Sequence, residues 1–167
     1  IRHGIPHRSF PQFLKENFLC RSRNAVVAGG VGKTTTTAML AWILEHSGLE
    51  PDYLIGGLAR NFAAAARFSG GGFAVLEGDE YASCFDDRNP KFLHYRPEVA
   101  IITNIIEDHP DIYQSFDDLC DAFAALIETL PPDGCLIVPD HDEAASKLAA
   151  DARCRVIATG FGPAAGE

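Results

Sequence analysis

Seven residues constrain this chain more than any other stretch: Gly29, Gly30, Val31, Gly32, Lys33, Thr34 and Thr35. They follow directly on the apolar run Ala25, Val26, Val27 and lead into a segment with Leu40, Ile43 and Leu44 at core-facing helical spacing. A strand, a glycine-rich turn and a helix in that register make a phosphate cradle. The glycines let the backbone curl so that successive N–H groups converge on an anion, and the helix N-terminus adds a partial positive charge there. On this reading residues 29–35 hold the phosphates, Lys33 reaches the β and γ groups, and the Thr34 hydroxyl is placed to ligate Mg²⁺. The full G-x-x-x-x-G-K-[ST] spelling needs glycine at position 27, where this chain has Val27, so the loop is a shortened variant. Lys33 is expected to stand exposed on the loop and to contribute charge rather than packing. A nucleoside triphosphate is the expected ligand.

Around the loop, short β-rich apolar runs alternate with helical patterns, which predicts an α/β fold with a mostly parallel sheet flanked by helices. Strands are expected at 24–28, 52–55, 72–76, 99–103, 135–138 and 155–158, and helices at 33–46, 116–130 and 143–150. The clearest helix is the second. Ser115 and Asp118 form a capping-box-like start, Phe116, Leu119, Cys120, Phe123 and Ile127 recur at helical spacing, and Pro131-Pro132 stop it. That stripe reads as core.

The chain has 167 residues, enough for one domain with its own core. Asp and Glu outnumber Lys and Arg by 23 to 14, a net charge of −9 that repels nucleic acid and anionic membranes, so a phosphate ligand must be held locally. No run approaches the roughly 18 apolar residues that span a bilayer, and the first ten residues lack the apolar centre of a signal peptide. A cytoplasmic location is expected, without nucleic-acid or membrane partners. The five cysteines, Cys20, Cys84, Cys120, Cys135 and Cys154, have neither pairing rhythm nor metal-ligand spacing and are read as reduced thiols.

Two polar clusters follow expected strands and therefore emerge at the edge where ligands sit in open α/β sheets. The first is Glu77, Gly78, Asp79, Glu80. Three acids in four positions carry negative charge that a cation would relieve, and Glu77 is the expected Mg²⁺ ligand. The second runs from Asn104 to Asp111 and contains Asp108 and His109, where the imidazole can serve as metal ligand or acid/base group.

Together the three clusters resemble the central ATP-binding domain of the Mur ligase family, whose pattern is a G-[TS]-x-G-K-[ST]-T loop, then E-x-[DE]-E, then N-x-x-x-D-H-x-D. The resemblance implies a P-loop NTPase-like domain and an amide-forming ligase that works through an acyl phosphate, with ATP and Mg²⁺ as cofactors. It implies Lys33, Glu77 and His109 as catalytic residues, and Thr34, Glu77 and His109 as metal ligands. Gly29, Gly30, Val31, Gly32, Lys33, Thr34, Thr35 and Asn104 are implied as nucleotide-binding. Longer stretches, among them IGGLARNF and EGDEYASCFDDRNPKFLHYRPEVAI, look like the branch that joins UDP-N-acetylmuramate to a murein tripeptide in peptidoglycan recycling. Such enzymes have three domains. The expected organisation is thus a lead-in at 1–23, the ATP-binding domain at 24–160 and a linker at 161–167, with both substrates bound through further domains and the piece alone inactive in ligation.

Two positions depart from the pattern. Family loops carry a polar pair where this chain has Gly30-Val31, and relatives place Glu two residues before the Asp of Asp-His, where Ile106 stands here with Glu107 next to it. The alternatives are another Mur-type ligase, a nucleotide-binding relic without activity, or a partitioning-type switch ATPase. The last is disfavoured by Ala28 at the place of that class's signature lysine.

Overall fold

The computed structural model describes residues 7–107 and 112–160. Its strands are β1 (Arg23–Ala28), β2 (Asp52–Leu54), β3 (Ala66–Arg67), β4 (Phe73–Gly78), β5 (Ala82–Cys84), β6 (Asp87–Pro90), β7 (Val99–Ile102), β8 (Cys135–Pro139) and β9 (Arg155–Thr159). The helices are α1 (Phe10–Asn17), α2 (Lys33–His46), α3 (Phe116–Glu128) and α4 (Glu143–Ala149). Among the described residues seven strands form one sheet in the order β3-β2-β4-β1-β7-β8-β9. All neighbours are parallel except β3, which runs antiparallel to β2 at the edge.

The apolar runs are continuous because both faces of the sheet are covered. Along β4, Ala74 and Leu76 point into the larger core with Val26, Ala28, Phe92 and Phe123, whereas Val75 points into a smaller one with Ala41, Tyr53 and Ile55 under α2. The larger core also takes in Leu14 and Leu19, each 2% exposed, so α1 packs with this body. Sequence patterning did not foresee that helix, although Ser9 and Gln12 form a reciprocal capping box at its start.

The strand carrying the acidic cluster differs from expectation in a way that matters for the site. It runs on through Glu77 and Gly78, which pair in register with Val27 and Ala28 of β1. Gly78 is needed there, since a Cβ would lie 2.7 Å from Val26 Cγ1. Helix α3 stops at Glu128 rather than at 130, its last turn tightening as the Leu130 N–H donates to the Ile127 carbonyl at 3.1 Å. The β5–β6 hairpin was not foreseen. No described helix is long and apolar enough to cross a membrane.

Candidate active site

Strand β1 lies between β4 and β7, so the three polar segments that leave their C-terminal ends meet at one edge. The loop after β1 turns through Gly29 at φ +136° and Gly32 at φ +89°, a region where a side chain strains the backbone. A Cβ on Gly29 would also sit 2.2 Å from Thr103 Oγ1, which leaves glycine as the residue that fits. Helix α2 begins at once with Lys33, and the N–H groups of its first turn have no partner within the helix.

The exit of β7 holds the loop from the side. Thr103 Oγ1 donates to the Val31 carbonyl at 2.7 Å, and the Asn104 amide does the same at 2.8 Å while accepting from the Val31 N–H at 3.0 Å. The Gly30 N–H donates to the Asn104 carbonyl at 3.3 Å. Asn104, implied as a nucleotide contact, is thus placed as a clasp on the loop backbone.

The three acids take separate partners. Glu77 accepts from the Thr34 hydroxyl at 2.9 Å and from the Gly56 N–H at 2.6 Å. A Cβ on Gly56 would fall 2.5 Å from Glu77 Oε1, so a side chain there would push the carboxylate aside. Asp79 pairs with Lys91 at 2.7 Å. Glu80 pairs with Lys33 at 3.1 Å, and their side chains are 2% and 15% exposed. This corrects the picture of an exposed loop lysine: the Lys33 stem is folded inward, and its ammonium also donates to the Gly29 and Gly30 carbonyls.

His109 lies outside the described residues, as do Asp108 and Asp111. The segment is anchored on both sides of them. Before it, the Ile105 N–H donates to Asp142 at 2.7 Å, and the other oxygen of the same carboxylate caps α4 by accepting from the Ala145 N–H at 2.9 Å. After it, the Tyr113 hydroxyl donates to the Glu80 carbonyl at 2.7 Å. Burial, with the charges of Glu80 and Asp79, pushes the Tyr113 phenol up to about 12.

Among the described residues no three His, Cys, Asp or Glu side chains converge as a complete metal cage. Mg²⁺ does not require one, because it keeps several waters and takes one or two protein oxygens beside substrate phosphates. The Thr34 and Glu77 oxygens are hard donors already in contact, and they fit that ion. A cleft of about 670 Å³ opens beside them, lined by Thr34, Met39, Trp42, Leu58 and Arg60. On the far side of the loop, a larger one of about 1080 Å³ is lined by Val31, Ile106, Phe116 and Lys147.

Gly56, Thr103, Tyr113 and Asp142 were not singled out by sequence, and Glu80 was named only as a member of the acidic cluster, without its pairing to Lys33. The Gly56-Gly57 pair after β2, and Asp142 three residues before Ala145, were the readable signals.

The Mur ligase middle domain family matches residues 27–166. A UDP-N-acetylmuramate–L-alanyl-γ-D-glutamyl-meso-2,6-diaminoheptandioate ligase of Haemophilus influenzae is 36% identical over 150 residues, covering 90% of this chain and 33% of that protein. The Escherichia coli enzyme of the same name is 39% identical over 143 residues, covering 85% of this chain and 31% of that one. The chain therefore spans about a third of the length of the curated relatives it matches. The crystal structure of a UDP-N-acetylmuramate:L-alanyl-γ-D-glutamyl-meso-diaminopimelate ligase from Neisseria meningitides superposes with a TM-score of 0.90 at 36% identity, over 96% of this chain and 52% of that one. These similarities decide against the switch-ATPase alternative.

Proposed function

The chain belongs to the Mur ligase family, as its middle domain, and from that premise we propose that it is the ATP-binding unit of a ligase that joins UDP-N-acetylmuramate to L-alanyl-γ-D-glutamyl-meso-diaminopimelate. The observation that carries this reading is the contact of Glu77 with Thr34 at 2.9 Å, next to Lys33 and the first turn of α2. It joins a carboxylate leaving one strand to a hydroxyl on the loop of the adjacent strand. The substrate pair is supported by relatives that carry those substrates in their names at 36% and 39% identity.

In the proposed reaction a muramate carboxylate oxygen attacks the γ-phosphorus of ATP. The bond from that phosphorus to the bridging oxygen breaks, ADP leaves, and an acyl phosphate remains. The tripeptide amine then attacks the acyl carbon, inorganic phosphate departs, and the amine gives up its proton as the amide forms. Charge gathers on the γ-phosphoryl oxygens, so the task of this domain is positioning and electrostatic stabilisation. Lys33 and the N–H groups at the start of α2 are the donors for it. No nucleophile on the protein is needed, and Ser83 and Cys84 have no part.

A magnesium ion would be held by Thr34 and Glu77, with His109 as a further ligand on the family pattern, and it would neutralise phosphoryl charge. The cleft lined by Thr34 has room for the acid that attacks. Titration of the chain with a fluorescent ADP analogue, with and without Mg²⁺, tests the nucleotide half: saturable binding that Mg²⁺ strengthens is expected, and no binding removes the reading. Amide synthesis is to be measured in the longer polypeptide, since the domain alone is expected to make none.

A further inference from the structure

We propose that Glu80 is a positioning residue, whose buried carboxylate fixes the Lys33 ammonium against the loop so that it is in place when phosphate arrives. An ammonium has three donors. Those of Lys33 go to the Gly29 carbonyl, the Gly30 carbonyl and Glu80 Oε1, and the longest of the three, 3.3 Å to Gly30, is the one an arriving phosphate would take over while Glu80 keeps its hold. The first two acceptors belong to the loop itself. Glu80 is the side chain that holds the lysine from outside it, and at 2% exposure it does so where water competes little.

The support behind the carboxylate is rigid. The Tyr113 hydroxyl donates to the Glu80 carbonyl at 2.7 Å, the Lys91 N–H donates to the Tyr81 carbonyl at 3.0 Å, and the Lys91 ammonium grips Asp79 at 2.7 Å. Backbone on both sides of Glu80 is therefore tied down, and a flexible four-carbon lysine stem is ordered before ligand binds. That ordering entropy is then not charged to nucleotide binding. Glu77 serves differently, because it faces Thr34 rather than Lys33.

Position and charge are separable by two conservative changes. Glu80→Gln keeps the length and an oxygen acceptor but loses the charge; Glu80→Asp keeps the charge but withdraws it by one methylene. With four lysines in the chain, the Lys33 ammonium can be assigned in a lysine-selective ¹H–¹⁵N spectrum by its loss in Lys33→Arg, recorded in cold, mildly acidic buffer. The expected result is a protected Lys33 signal in the wild type and in Glu80→Gln, and its loss in Glu80→Asp. MgADP binding should fall about tenfold in Glu80→Asp and stay within about threefold in Glu80→Gln, as for one hydrogen bond to a charged group. Retention in Glu80→Asp with loss in Glu80→Gln would show a pure charge role and overturn the proposal. No change in either variant, or loss in both with the fold retained, overturns it as well. The inference rests on residues 29–35 being a phosphate loop: a wild type that binds no MgADP removes that reading, while the ammonium signal still reports on Glu80.

Discussion

Ile106 fills the space that a side chain on residue 30 would take: a Cβ added to Gly30 would lie 2.4 Å from Ile106 Cγ1 and 3.1 Å from Asn104 Oδ1. The two departures from the family pattern, a bare glycine in the loop and an isoleucine beyond β7, are thereby one packing arrangement. A loop that loses its side chain at position 30 recovers a filled surface from the neighbouring segment. Ile106 is 44% exposed and can give way, so Gly30→Thr alone is expected to cost about 1 kcal/mol, the lower end of what overpacking a core costs. In an Ile106→Ala background the same change should cost less, with a coupling energy of at least about 0.5 kcal/mol between the sites. Urea denaturation of the four proteins measures this, and additive energies would reject the shared space.

Lys33 contributes to folding as well as to binding. Removing one partner of a buried ion pair costs about 3–5 kcal/mol, so Lys33→Ala, which takes the cation away from Glu80, should lower stability by an amount near the bottom of that range. Its 15% side-chain exposure places it there rather than higher. MgADP affinity should drop by about ten- to a hundredfold, the worth of a charge-assisted hydrogen bond. Unchanged denaturation midpoints would mean that the Lys33–Glu80 pair is energetically idle.

Thr34 and Glu77 should act on the metal and not on the nucleotide alone. In Thr34→Val and Glu77→Gln, the Mg²⁺ concentration that gives half of maximal ADP binding is expected to rise. Binding measured in the presence of a chelator should not weaken in Glu77→Gln, because a carboxylate facing polyphosphate without a cation repels it. A metal role for this pair fails if the magnesium dependence of both variants overlays the wild type.

What could be read from sequence was what short-range pattern decides. The β1–loop–α2 unit needs little more than an apolar run and glycines, and helix α2 spans the 33–46 expected of it, but its expected core stripe was misplaced: Thr37 and Ala41 are the residues it buries, Leu40 and Leu44 are partly buried, and Ile43 is exposed. The acidic cluster could be located but not resolved. Three carboxylates in four positions look alike in one dimension, and their division among Thr34, Lys91 and Lys33 depends on which strand lies next to which. Asn104 shows the same limit, since its type suited a ligand contact while the closeness of β7 to the loop turned it onto Val31. The β5–β6 hairpin has no alternating apolar pattern to betray it, and Asp87 to Pro90 is held by tertiary contacts such as His94 to Asp87 at 2.8 Å. Helix α1 was legible in principle from Ser9, Pro11 and Gln12, but it spans eight residues, too few turns for an apolar period to stand out.

Tyr113 gives the site an alkaline signature. Its phenol is pushed from the ordinary 10.0 up to about 12 by burial and by the charges of Glu80 and Asp79, so the folded protein holds this proton where the unfolded chain releases it. A folded value that is raised contributes stability that is complete below the unfolded value and is lost as pH climbs through the folded one. The window is therefore pH 10 to about 12. Tyr113→Phe removes both the titration and the hydrogen bond to the Glu80 carbonyl, at a cost of about 0.5–1.5 kcal/mol near neutrality. The gap between wild type and variant should then close as pH rises across the window, while Tyr95, whose phenol burial also pushes upward, weakens both proteins alike. Urea midpoints of the two proteins across this pH range provide the measurement. A gap that stays constant from pH 9 to about pH 12 would show that the Tyr113 hydroxyl does not donate to Glu80 in solution, and would release the segment after His109 from the anchor assigned to it here.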